Sequence, residues 1–316
     1  MPEIPPILVI GNAAVDALAT PLDSFPPPGG TRQFDELIMA AGGCGVNVAI
    51  DLARMGVPCD LCAPVGRGIH GEFLVAEIEK VGIRSDHLYV DADAGTPFTL
   101  VAVAANGERT FLHRPGANAT FSADHIPESL LRDRRFVLGA GAMMMHTLDG
   151  EPLARIMETA RGHGAQTLLD VINTDDFPRD EWKRRLLPIL PHLDWFLPSR
   201  AEAAHLTART DPDDMAAWLH GHGARQVVIK LGGDGALWSP PDGASEHIAA
   251  LTDGRIVDAT GAGDAWCAGF VTGLLDGLAV PAAIRRGHAS AVYCLQVLGA
   301  SAGIPPLDEI RRLAGA

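Results

Sequence analysis

D-A-T-G-A-G-D-A-W-C-A-G-F-V-T-G-L-L (residues 258–275) sets two acids, Asp258 and Asp264, around a glycine turn and follows them with an almost wholly apolar run. A helix that is apolar all round is buried, and here the glycines stand at its start. Its N-terminus carries backbone N–H groups without intrahelical partners and a partial positive charge. Gly261 and Gly263 have no Cβ, so an anion can approach the backbone closely. A carboxylate there repels a resting phosphate, but it is useful if it takes a proton from a hydroxyl attacking that phosphate. From these residues alone Asp264 has two readings: a general base, or a charge that favours a helix N-terminus.

The surrounding pattern is α/β. Apolar runs suited to buried strands occur at 7–10, 136–140, 167–170, 195–197 and 227–230, with amphipathic helical stretches between many of them. Two of those stretches end at Gly56 and Gly82, where C-caps expect glycine. Short buried strands alternating with helices predict a doubly wound, mostly parallel sheet covered on both faces. Two regions break the rhythm. F-T-L-V-A-V-A-A-N-G-E-R-T-F-L-H (98–113) reads as a hairpin across Asn106-Gly107, and the stretch from 17 to 41 is irregular around P-P-P-G-G. Together, about 17–41 and 94–117 predict a small antiparallel β-lid on a single domain spanning 1–316.

Composition narrows the function. The 316-residue chain has 47% hydrophobic and 20% charged residues and a net charge of −14, which suits a soluble globule and disfavours nucleic acid. The first residues lack a basic signal-peptide region, and no run approaches a membrane span. Five cysteines, an odd and sparse set, fit a reducing cytoplasm. Cys59 and Cys62 fall in a strand-like run, so their side chains are expected on opposite faces and not in a metal site. V-L-G-A-G-A-M-M-M (137–145) begins like a dinucleotide fingerprint, but Met144 replaces its last glycine and the run lies mid-chain.

Several segments, in order, resemble the ribokinase-like sugar kinases of the phosphofructokinase-B type. V-I-G-N-A-A-V-D (9–16) is similar to the family's first strand, ending on a substrate-binding Asp16. G-G-C-G-V-N-V-A-I-D-L-A-R-M-G (42–56) is similar to its N-terminal signature, with Gly43 and Asn47 at sugar-contacting positions. P-G-A-N-A (115–119), L-P-S-R-A-E-A (197–203), K-L-G-G-D-G-A (230–236), D-A-T-G-A-G-D (258–264) and G-A-S-A-G-I-P (299–305) follow. The likeness spans nearly the whole chain.

The resemblance implies transfer of the ATP γ-phosphate to a sugar hydroxyl, with Asp264 as base and the N–H groups of Gly261, Ala262 and Gly263 stabilising charge. It implies Mg²⁺ arranged through water by Glu202, with Ser199 where the family usually has Asn. S-x-x-E is also a capping box, and both roles can hold together. Lys230 and Gly232 fall where nucleotide phosphates are lined, and His288 on a helix bordering adenine. Asp258, with the return segment of Gly299 and Ser301, matches a K⁺ loop found in some relatives. Arg114, leaving the hairpin, suits an acidic or oxygen-rich substrate. Asp170 and Asn173 are further site residues, and Asp175 and Asp176 disfavour a second phosphate on the substrate. Cys44 stands where ribokinases often have Lys, which weakens a ribose assignment. A neutral sugar or nucleoside is the first substrate class and a sugar acid the second. A non-catalytic sugar-binding regulator on the same fold is the rival of another kind. By analogy a homodimer is expected.

Overall fold

The computed structural model of the chain describes residues 5–105, 109–172, 177–252 and 256–315. In chain order the strands are β1 (Ile7–Gly11), β2 (Ala14–Thr20), β3 (Glu36–Gly42), β4 (Cys59–Cys62), β5 (Pro64–Gly66), β6 (Tyr89–Asp91), β7 (Phe98–Val103), β8 (Arg109–Arg114), β9 (Phe136–Ala142), β10 (Gln166–Val171), β11 (Trp195–Phe196), β12 (Gln226–Lys230), β13 (Ala236–Ser239) and β14 (Glu246–Ile248). The helices are α1 (Cys44–Arg54), α2 (Ile69–Lys80), α3 (Glu151–Gly162), α4 (Arg179–Leu186), α5 (Arg200–Thr207), α6 (Pro212–His220), α7 (Ala262–Leu275), α8 (Val280–Leu295) and α9 (Leu307–Ala314).

The main sheet runs β14-β13-β12-β11-β10-β9-β1-β4, parallel from β4 to β12 and antiparallel at β13 and β14. Its strands are buried on both faces, which is why they read as continuous apolar runs. Along β1, Ile7 and Val9 join one core cluster while Leu8 and Ile10 join the other. The first cluster packs under α1, α2, α7, α8 and α9, the second under α3, α4, α5 and α6. Cys59 and Cys62 divide between the two clusters, as strand alternation requires. Among the described residues no helix is long and apolar enough to cross a membrane.

Helix α7 is buried without a break from Asp264 to Gly273. Its fully buried Phe270 alone contributes about 1.5–3 kcal/mol through apolar area removed from water. Glycines let α8 press against it. A Cβ on Gly273 would lie 2.7 Å from Ala283 Cα, and one on Gly269 would collide with Ser290 Oγ.

A second, four-stranded sheet, β3-β2-β7-β8, stands over the mouth of the first. The expectation of an all-antiparallel lid is corrected here: β2 pairs with β7 in parallel, with β3 and β8 antiparallel at the edges. Residues 21–97 link β2 to β7, long enough for a crossover rather than a hairpin. The Asn106-Gly107 turn lies outside the described residues. A second correction concerns Asp16. The segment 9–16 is not one strand, because β1 ends at Gly11 and Asp16 belongs to β2 in the second sheet. Asn12 makes the break: its Oδ1 accepts the Cys44 N–H at 3.0 Å.

Candidate active site

The glycine turn opens α7. Gly261 is the N-cap, in a left-handed conformation (φ 76°) that suits glycine. A Cβ there would meet Ala300 Cα at 2.7 Å, so this glycine serves close packing of the 299–301 loop. Gly263 differs: it is exposed, and the nearest atom to an added Cβ is Lys230 Nζ at 3.5 Å. The Gly263 end of the turn therefore borders open space with an ammonium on its far side, while the Ala262 N–H donates to the Ala259 carbonyl at 3.3 Å. The turn is fastened from behind. Asp258 accepts the Thr260 N–H on Oδ1 at 2.8 Å and the Gly299 N–H on Oδ2 at 2.7 Å. The Cys294 thiol donates to the carbonyls of Thr260 and Ala300 at 3.2 and 3.0 Å.

Asp264 follows one step into the helix and is only 7% exposed. Asn47, from α1, donates its Nδ2 to Asp264 Oδ2 at 2.8 Å. Burial raises the Asp264 carboxyl above its usual range, opposed by the Asn47 hydrogen bond and the Lys230 charge. A raised carboxylate is a better proton acceptor near neutral pH. Asn47 Oδ1 is buried with no hydrogen-bond partner in the protein.

Lys230, at the end of β12, pairs with Asp170 Oδ1 at 2.6 Å. Burial lifts Asp170 to about 6 against the Lys230 charge. For Lys230, burial opposes the charged form, but Asp170, Cys267 and Glu202 outweigh it, so the ammonium stays protonated. Burial also raises Glu202. Ser199 and Glu202 form the full capping box: the Ser199 N–H reaches Glu202 Oε2 at 2.6 Å and Ser199 Oγ accepts the Glu202 N–H at 3.4 Å. Gly232 (φ 62°) is exposed in the turn after β12, with nothing within 4 Å of a would-be Cβ.

The sequence thus points to one assembly: Asp264, Asn47, Asp170, Lys230, Glu202 and Ser199 meet around the turn. Asp16 looks in from β2, its carboxylate against Gly42 and hydrogen-bonded to Thr99. Gly42, the first glycine of the 42–56 segment, is what leaves room for that carboxylate. Gly43 (φ 88°) is close to backbone as expected, but the approaching backbone is that of Ala13, at 2.7 Å. Arg114 stays outside the assembly. It pairs with Phe98, on the face of β8 opposite His113, which pairs with Thr99, and it lies exposed beside Gly95. His288 is buried on α8 near Trp266, and burial lowers it to about 4, so it is neutral at pH 7. Asn173, Asp175 and Asp176 lie outside the described residues.

The pfkB family carbohydrate kinase model matches residues 5–307. Among curated proteins, a ribokinase of Staphylococcus aureus (strain COL) is 27% identical over 97% of this chain and 99% of its own length. A 2-dehydro-3-deoxygluconokinase of Bacillus subtilis (strain 168) is 26% identical over 89% of each. Among solved structures, Arabidopsis thaliana ribokinase complexed with ribose and ATP shares the fold at a TM-score of 0.84, with 23% identity over 99% of this chain and 100% of that one. With its glycine turn, buried acid and two-sheet architecture, the chain belongs to the pfkB family of carbohydrate kinases.

Proposed function

We propose that this kinase passes the γ-phosphate of ATP to a hydroxyl of a small sugar or related polyol, with Asp264 as the base. The observation that carries the reading is the open turn at Gly263 beside a buried carboxylate that Asn47 holds in place. The hydroxyl docks between Asp16, Asn47 and the backbone near Gly43. Asp264 takes its proton as the oxygen attacks phosphorus. The N–H groups of Gly261, Ala262 and Gly263 receive the charge that builds on the phosphoryl oxygens. Lys230 supplies positive charge from the facing wall, kept in position by Asp170, and Gly232 gives the nucleotide phosphates an unobstructed edge. His288 borders adenine.

Mg²⁺ entering with the nucleotide would neutralise phosphate charge, and Glu202, through water, with Ser199 would hold it. The donor set fits, since Mg²⁺ takes few protein carboxylates and keeps much of its water. Asp258 does not fit K⁺ in this arrangement, because its carboxylate already holds two N–H groups and the Arg109 guanidinium. A sugar acid is the second substrate class, favoured by kinship with the Bacillus subtilis kinase, and Arg114 is tested with it. The outer face of the lid supports a homodimer: Leu37, Met39 and Leu112 form an apolar patch there, with Leu37 at 55% and Leu112 at 54% exposure. Five buried thiols favour a cytoplasmic setting.

A coupled ADP-release screen over sugars, sugar acids and nucleosides, with Mg²⁺ and with or without K⁺, tests the reading. Turnover with one class is expected. Nucleotide binding with no turnover on any class would favour the sugar-binding regulator instead.

A further inference from the structure

The lid reaches the phosphate-binding turn through a buried ion pair. Arg109 opens β8 and pairs with Val103, and the alternation that puts Thr99 and His113 on one face puts Arg109 there too. Asp16 pairs with Thr99 on that same face. From it the Arg109 Nη2 lies 2.5 Å from Asp258 Oδ2, with side chains 12% and 1% exposed. Asp258 is also the residue that fastens Thr260 and Gly299, so one carboxylate joins three segments: the lid strand, the entry to α7 and the loop that packs on Gly261. Two N–H groups alone would leave a buried carboxylate short of compensating charge, and the guanidinium supplies it. The same guanidinium lends positive charge to Asp16. Arg109 therefore stands between the sugar side and the phosphate side of the site.

We propose that Arg109 is a positioning residue for phosphoryl transfer: by docking on Asp258 it ties the lid sheet to the turn at 260–263. This rests on the reading of that turn as the catalytic one. The amides that receive the phosphoryl charge are then held in place when the lid lies over the sugar and loosen when it lifts. Lid closure and assembly of the anion hole become one event, which discourages transfer to water before a sugar is enclosed.

Two measurements on the full chain test this. The first needs no substrate: amide hydrogen exchange of wild type, Arg109→Ala, Arg109→Lys and Asp258→Asn. Arg109→Ala should speed exchange across 258–263 about 10-fold or more, and Asp258→Asn should reciprocally speed exchange along β8, since coupling is mutual. Arg109→Lys should retain most of the protection. Wild-type exchange at 258–263 in Arg109→Ala would overturn the proposal. The second uses ATP with whichever sugar the screen identifies. Arg109→Ala should lower kcat about 10- to 100-fold with the KM for ATP changed less than about 3-fold, and millimolar guanidinium should restore part of it. The double variant with Asp258→Asn should be no slower than the slower single one. An unchanged kcat, or fully additive losses, would overturn it. If wild type turns over no sugar, the kinase reading fails while the exchange experiment still decides whether lid and turn are coupled.

Discussion

Helix α7 and strand β8, joined through the Arg109–Asp258 ion pair before the helix, are made of opposite material. From Asp264 to Gly273 the helix is buried, whereas β8 is exposed from Thr110 to Arg114. The turn before α7 is fixed by Asp258, Cys294 and the 299–301 loop, while among the described residues the lid has two small apolar clusters of its own, one around Leu18 and Val101 and the other around Ala19 and Leu22. The turn is therefore held firmly, and positioning to a fraction of an ångström is what phosphoryl transfer demands. The lid has few buried contacts, as suits an element that opens to admit substrate.

Substitutions can break this contrast or sharpen it. Asp264→Asn should have the largest effect, lowering kcat on the order of 10²-fold or more while nucleotide and sugar binding survive. Steady-state kinetics beside calorimetric titration checks both halves, and an undiminished kcat would remove Asp264 from the chemistry. Lys230→Met should come next. It strands Asp170 in a dry site, costing about 3–5 kcal/mol of stability, a loss that proton uptake by Asp170 tempers. Urea unfolding of the two proteins at pH 7 measures it.

His288 gives a smaller, pH-dependent effect. Unfolded, its imidazole takes a proton below about 6.5. Folded, it resists until about 4. Between those values the unfolded state binds more protons, so this contribution is complete above pH 6.5 and is lost as pH falls, reaching about 3 kcal/mol at pH 4. His288→Gln should flatten that part of the curve, read as the wild-type-minus-variant stability at pH 7 and pH 4.5. Equal slopes in the two proteins would contradict the buried, neutral histidine. The smallest change belongs to the lid: Leu112→Glu should alter monomer stability by no more than about 0.5 kcal/mol yet yield monomers in light scattering. A variant that stays dimeric would place the interface elsewhere.

The turn and its helix were the more legible in the sequence. An apolar run with glycines and acids at its head specifies a buried helix opened by a glycine turn, and the 199–202 pattern specifies the capping box of α5. Pairings between distant segments were not visible: Asp170 with Lys230, Asn47 with Asp264, and Gly42 making room for Asp16 are products of topology. The lid was harder for a sharper reason. Period-2 alternation separates Arg109 from Arg114, but which face looks inward depends on how the sheet seats on the core. Local pattern favoured Arg114, beside the return segment; the packed sheet turns Arg109 inward instead. Apolar patterning runs 9–16 together as one strand and does not register the Asn12 side-chain hydrogen bond that separates Asp16 from β1.

The glycine-mediated contact of α7 with α8 has a mechanical consequence. At Gly269 and Gly273 the two rods meet nearly backbone to backbone, leaving no compressible side-chain layer between them. The turn at 261–263 and the region around His288, between which we propose the nucleotide lies, thus belong to a single girder. Any adaptation to differently shaped acceptors must come from the opposite side of the cleft, and drift in preference among descendants of this enzyme should accumulate there.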